Sequence, residues 1–204
     1  MLLQRVFCWL CLGGGALMLL TACGSSAEST DDVAGPVIEG GQAGPAPSAP
    51  STHPLSSDIR GAWQAGCAMH NADGSVYVTT DVRFEAERFT TEITFYAENT
   101  CTVLATPASD VPAQRVTVSG QARERGATTS TSLGEARHLD LALESVLLDG
   151  VPMDSQHYSQ AWAPDVYLIS EGALYVGKVA APSSDASAAA RPTALDLDFR
   201  LTRG

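Results

Sequence analysis

His138 and Asp140 lie two residues apart. On a β-strand that spacing puts both side chains on one face. There an imidazole and a carboxylate could serve as a general base with its orienting partner, or as two metal ligands. No third member is identifiable, and Leu139, Leu141 and Leu143 take the opposite face. The pair is therefore expected on the solvated side of a half-buried strand. His157 and Tyr158, flanked by Gln156 and Gln160, read as a surface loop, with a lid as the alternative. His70 stands beside the turn Asn71-Ala72-Asp73-Gly74, and Asn71 and Asp73 do not complete a calcium loop. The sequence holds no Gly-x-Ser-x-Gly, no His-Glu-x-x-His and no Gly-rich phosphate loop. The acidic residues alternate with apolar ones, as on any wet strand face. The expectation is a protein that is not an enzyme, with no cofactor and no metal. A hydrolase using His138 or His157 is the weakest of three functional readings.

The second chemical feature is apolar. Val76, Val78, Val82, Phe84, Phe89, Ile93, Phe95, Leu141, Leu143 and Phe199 share one presumed inner face. They make either a filled core or a cavity for one apolar ligand such as a fatty acid or lipid. The elements that must position them have period two. Val76 to Phe84 and Phe89 to Tyr96 alternate apolar and polar residues, joined by the polar reversal Glu85-Ala86-Glu87-Arg88. Cys101 to Ala105 is a short run. Arg115 to Arg123, the segment around Leu139 to Leu143, Val166 to Ser170, Leu174 to Val176 and Leu195 to Leu201 follow. In the last, Leu195, Leu197, Phe199 and Leu201 share a face. Only Ser155 to Ala161 hints at helical spacing. These runs predict an all-β fold, an antiparallel barrel of eight or nine strands, since closure removes sheet edges. An open sheet or two packed sheets is the alternative. The charged faces should point to water, the reverse of a membrane barrel.

The N-terminus sets the address. Arg5 precedes an apolar stretch over 6–20, which as a helix would reach about 22 Å, short of a ~30 Å hydrocarbon core. This reads as an export signal and not a membrane span. Leu20-Thr21-Ala22-Cys23 resembles the bacterial lipoprotein lipobox. That resemblance implies a signal peptide over 1–22, diacylglycerol on the Cys23 thiol, cleavage before it, and a membrane held through N-terminal lipid. Gly24, in place of Asp, implies sorting to the outer membrane of a Gram-negative cell envelope. Residues 23–57 are rich in Gly, Ser, Ala and Pro and lack periodicity, so they are expected to be a disordered tether before a domain over 58–204. Cys8 and Cys11 would leave with the signal and Cys23 would carry lipid, so Cys67 and Cys101 remain. In an oxidising compartment they should pair, adding about 4 kcal/mol on the chain-entropy view. Two free thiols or half of a metal site is the alternative. The formal net charge is −11 and Lys178 is the sole lysine. With no basic run, the chain is not expected to bind nucleic acid or an anionic lipid surface by overall charge.

Gly61-Ala62-Trp63 resembles the Gly-x-Trp signature that opens the lipocalin barrel. The resemblance implies that Gly61 and Trp63 close the barrel base and that an arginine of the last strand, Arg200 or Arg203, packs over the indole. Arg200 is the expected one. Trp63-x-x-x-Cys67 and Phe95-Tyr96-x-x-x-x-Cys101 extend it. So do Leu174-Tyr175-Val176-Gly177 and Arg191-Pro192-Thr193-Ala194-Leu195-Asp196. Over about residues 60 to 201 the chain resembles a group of uncharacterised exported bacterial proteins. The Trp and Cys motifs are also similar to the lipocalin-like domain of the adenomatosis-polyposis-coli down-regulated family. Members of the bacterial group often carry extra cysteines near the position of Trp162, which this chain lacks. The implied function is binding or carrying a small hydrophobic ligand at the envelope. The alternative is a non-catalytic structural or interaction module that meets another envelope protein.

Overall fold

The structure, a computed structural model, describes residues 53–71, 74–108, 111–158, 160–178 and 190–204. The expected signal, Cys23, most of the tether and Asp73 lie outside these residues. The strands are β1 (Gly61–Met69), β2 (Tyr77–Phe84), β3 (Arg88–Tyr96), β4 (Arg115–Thr131), β5 (Gly134–Leu148), β6 (Val151–Pro152), β7 (Ala163–Ser170), β8 (Ala173–Gly177) and β9 (Leu195–Arg203). Every pairing is antiparallel, and β9 returns to β1 through Trp63 opposite Arg203. β4 pairs β5 and β5 pairs β7, so eight strands close into a barrel and β6 is a short addition on β5.

The alternation in sequence becomes inward and outward faces. Val78, Thr80, Val82 and Phe84 of β2 are buried, as are Phe89, Thr91, Ile93 and Phe95 of β3. Phe84 stands opposite Phe89 across the tight reversal, where Glu85 N–H donates to Arg88 C=O at 2.9 Å. β4 and β5 need one close approach. At Gly120 a Cβ would come within 2.0 Å of the Ala142 carbonyl oxygen and 2.9 Å of the Phe89 ring. Phe89 is the cross-strand neighbour of Gly120 and covers the missing side chain. Next to it a bulge at Glu144 sets Gly120 opposite Leu143 but Ser119 opposite Ser145.

Both ends of the barrel are plugged. At the end where β1 begins, Leu55 and Ile59 are fully buried, and Leu55 N–H donates to Ala86 C=O at 2.9 Å. The folded part thus reaches back to His53, earlier than the expected start at 58. At the other end the segment after β3 sends Ala105, Val111 and Ala113 into the same core. Cys67 and Cys101 form a disulfide that ties β1 to this segment.

Base closure follows the Gly-x-Trp expectation with one correction. The arginine over the Trp63 ring is Arg203, its guanidinium carbon 4.4 Å from the ring centroid. Arg203 Nη1 donates to Arg60 C=O at 2.7 Å and Nη2 to Asp58 C=O at 2.6 Å. Arg200 is exposed and pairs with Tyr175 on the outer face. Gly61 has φ +115°, and a Cβ there would stand 2.8 Å from Arg203 Nη1. Glycine therefore meets both a conformational and a spatial requirement.

Other expectations are corrected. Ser155 to Ala161 makes only a single 3-10 turn over Ser155–His157. Cys101 to Ala105 contributes one bridge, Tyr96 to Leu104, and no strand. The last strand does not keep one apolar face. A register shift between Tyr175 and Gly177 leaves Leu197 52% exposed and puts Leu195 in a small outer cluster with Ala136 and Val166.

Candidate functional site

The residues expected to line a cavity do converge. Val76, Val78, Val82, Phe84, Phe89, Ile93, Phe95 and Leu141 are buried in one contiguous core, with Leu143 and Phe199 packed against it half-buried. Trp63, Tyr167, Leu139, Leu174 and Leu201 occupy the same space. Thr80 Oγ1 and Thr91 Oγ1, on the inward faces of β2 and β3, are buried without a hydrogen-bond partner among the described residues. At the plugged base the inward-facing Glu124, Arg137 and Tyr167 form a polar layer with Ser56. Tyr167 O–H donates to Glu124 Oε1 at 2.6 Å, Ser56 N–H donates to the same oxygen at 2.7 Å, and Arg137 Nη1 donates to Ser56 Oγ at 2.9 Å. Burial and the Glu124 hydrogen bond push the Tyr167 hydroxyl up to about 12. This layer staples the N-terminal plug to the barrel.

Two depressions among the described residues lie outside this core, and no buried member of the main core lines either. One, of about 190 Å³, is bordered by Glu124, Gly126, Ala127, Thr128, Arg137 and His138. The other, of about 290 Å³, is bordered by Gln121, Ala142, Leu143, Glu144, Gln160 and Trp162. It adjoins the most unusual polar cluster of the fold.

That cluster is built on the outer face of β4 and β5. The register sets Arg123 opposite Asp140 and Gln121 opposite Ala142. A bulge between Glu124 and Thr128 swings Arg125 toward the same carboxylate. Arg191, from the segment before β9, arrives from the far side. Asp140 is only 3% exposed. It accepts from Arg125 Nε and from Arg191 Nη2, each at 2.5 Å, with Arg123 Nε at 3.5 Å. Arg191 Nη1 also donates to Leu139 C=O at 3.0 Å and to Asp165 C=O. Burial alone would raise the Asp140 pKa, but the hydrogen bonds and charges of Arg191 and Arg125 outweigh it and hold it below the ordinary value. Trp162, 37% exposed, lies under Arg123, whose guanidinium carbon is 3.7 Å from the ring centroid. Arg88 Nη2 and Gln121 Nε2 hold Glu144 at 2.5 and 2.7 Å.

The expected solvated pair is therefore corrected. Asp140 is buried beneath three arginines, and His138 is half-buried with its Nε2 2.8 Å from Thr129 Oγ1. Burial, then the charge of Arg191, lowers the His138 pKa against the pull of Asp140. His157 is exposed on the 3-10 turn, while Tyr158 turns inward and donates to Glu144 C=O at 3.0 Å. His70 packs edge-on to Phe95 with ring centroids 5.3 Å apart. Asn71 Oδ1 accepts from Ser75 and Val76 N–H, as a turn residue does. Among the described residues no group of three His, Cys, Asp or Glu could hold a metal ion.

Sequence reasoning missed Arg123, Arg125, Arg191 and Trp162 as one site. The alternation Gln121-Arg123-Arg125 was visible, but its meeting with Asp140 depends on register and a bulge. For Arg203 the signal was present: it continues the odd-numbered face of Phe199 and Leu201, whereas Arg200 falls on the other. No family model, no curated protein and no solved structure matches the chain.

Proposed function

We propose that this protein is a non-catalytic binding module of the cell envelope, held by lipid on Cys23, that engages its partner through the outer face of β4, β5 and β7. One observation carries the reading. The lumen holds a continuous packed core plugged at both ends, while the half-buried charges and an accessible indole gather outside it. His138 Nε2 is engaged by Thr129 and Asp140 is taken up by arginines, so the two do not form a base with its orienting carboxylate, which supports a binding role over hydrolysis. A photo-crosslinking residue at position 121 or 160 should capture a partner in the cell of origin, and one at position 81 on the outer face of β2 should not. Equal capture from both faces would refute the assignment.

A second reading, carriage of an apolar or amphiphilic ligand inside the barrel, draws on Thr80 and Thr91. Two unpaired hydroxyls in an apolar lumen could meet the polar end of such a ligand. Native mass spectrometry of chain purified without detergent separates the two. A co-purifying lipid lost in Thr91→Val supports carriage. A clean mass, unchanged after lipid is added, leaves the outer-face reading.

A further inference from the structure

The arginine cluster carries more charge than its fold requires. Three guanidinium groups gather on Asp140 in a chain of net −11, and a second buried acidic residue, Asp165, touches Arg191 through its C=O. Arg191 has an evident structural use, since it pins the segment before β9 to two backbone carbonyls and Asp140. Arg123 does not. Its side chain is 27% exposed, yet it makes no hydrogen bond among the described residues, and its Nε is buried without a partner. A guanidinium has five N–H donors and is costly to leave half-desolvated and unpaired. Arg125 spends only Nε, on Asp140. Asp140 fixes Arg125 from one side and the Trp162 ring fixes the plane of Arg123 from another. The two Nε atoms lie beside the same Asp140 oxygen, so the guanidinium groups are neighbours, and neither uses its Nη fork in a hydrogen bond among the described residues, the kind of donor pair that oxyanions recruit.

We propose that Arg123 and Arg125 form a binding site for a phosphate monoester, with the rest of the ligand lying in the adjoining depression over Trp162. A phosphate monoester, with three terminal oxygens, suits two guanidinium forks better than a carboxylate, whose two oxygens a single fork takes up. The depression offers polar partners for an attached group in Gln121 and Gln160. Glu144 stands on its far wall, already held by Arg88 and Gln121, and would disfavour a second anionic group there. His138, on the same strand face as Asp140, has its pKa lowered by burial and by the charge of Arg191, and Asp165 is buried beside Arg191. The proposal rests on the outer-face reading and names the chemistry of its ligand. The phosphate could be that of a soluble ester or of a lipid headgroup.

The test uses the full exported chain carrying Cys23→Ser, so that no anchor of its own holds it to vesicles. Inorganic phosphate should raise its thermal midpoint saturably, and potassium chloride at matched ionic strength should not. Arg123→Gln should weaken phosphate binding roughly ten- to hundredfold, as expected for losing charge-assisted hydrogen bonds. Arg83→Gln, on the outer face of β2, should leave binding unchanged. Should Arg123→Gln fail to fold, Arg125→Gln gives the same reading. Flotation with phosphatidylcholine vesicles containing phosphatidic acid, and not with phosphatidylcholine alone, assigns the phosphate to a headgroup. Phosphate binding without flotation assigns it to a soluble ester. Equal effects of phosphate and chloride, or a wild-type response in both arginine variants, would overturn the proposal. Face-specific crosslinking would still stand in that event.

Discussion

Replacing Asp140 with asparagine should destabilise the barrel more than any other isosteric change on its outer face. The carboxylate is 3% exposed and is shared by Arg123, Arg125 and Arg191. Removing one partner of a fully buried ion cluster costs roughly 3–5 kcal/mol, because the remaining charges are left uncompensated. Here the three guanidinium groups keep 27, 23 and 22% of their exposure, so water screens part of the repulsion. The expected loss is about 2–3 kcal/mol. With a urea m-value of about 2 kcal/mol/M, the unfolding midpoint should fall by roughly 1 M. The pH dependence identifies the cause. The Asp140 pKa is lowered on folding from the ordinary 3.8, so its contribution is fully present above that value and fades as pH falls below it. The gap between wild type and Asp140→Asn should therefore be flat at neutral pH and close in strong acid. Adding Arg125→Gln to Asp140→Asn should recover part of the loss by removing one unpaired charge. Equal stability at pH 7, or a gap that persists undiminished in acid, would refute this account of the cluster.

Four further outcomes are expected. Arg203→Ala should cost about 2 kcal/mol through the lost indole contact and two carbonyl hydrogen bonds, while Arg200→Ala stays within about 0.5 kcal/mol in the same urea assay. Thr91→Val and Thr80→Val should each stabilise by about 1 kcal/mol by deleting a buried unpaired hydroxyl, read as a higher thermal midpoint; a drop would mean that the hydroxyl has a partner. Gly120→Ala should lose about 3 kcal/mol, since the new methyl meets the Ala142 carbonyl at 2.0 Å; near-neutral unfolding data would contradict the close approach. Cys23→Ser should abolish incorporation of a labelled fatty acid and release the chain from the membrane fraction, and a labelled variant would sink the lipid assignment.

The barrel was legible where one face of a strand is wet and the other dry. β2 and β3 meet that condition, so the periods of Tyr77–Phe84 and Arg88–Tyr96 gave face and extent together. The far half of β4, through Gly126 to Thr131, was not legible, because it projects with β5 beyond the core and has no apolar face to declare it. β9 misled for the opposite reason. Its outer side is partly covered, so Leu195 and Asp196 are both buried and alternation loses its meaning. Burial of Asp140 was hidden in the same way, since its cover, Arg191, comes from fifty-one residues further along the chain. Base closure was readable from Gly61-Ala62-Trp63, and strand parity alone favoured Arg203.

Consistency between local and global requirements marks most of the chain, and the exceptions are informative. Closing the sheet removes its edges, and the inward faces gather into one contiguous apolar core. What is left over sits on β4 and β5. An apolar residue at position 123 would cover Trp162 and Ala142 without desolvating a guanidinium, and a buried ion cluster is seldom more stable than its hydrophobic replacement. Arg123 instead stays half-buried with its Nε buried and without a hydrogen bond, stacked on an indole that borders a polar depression. Folding alone gives no reason for that choice, whereas an oxyanion would pair the free forks of Arg123 and Arg125 without disturbing Asp140. Arg123→Leu separates the two demands. It should equal or exceed wild type in urea while losing the thermal shift given by phosphate. A variant that loses stability and keeps the shift would place Arg123 in the scaffold and the phosphate elsewhere.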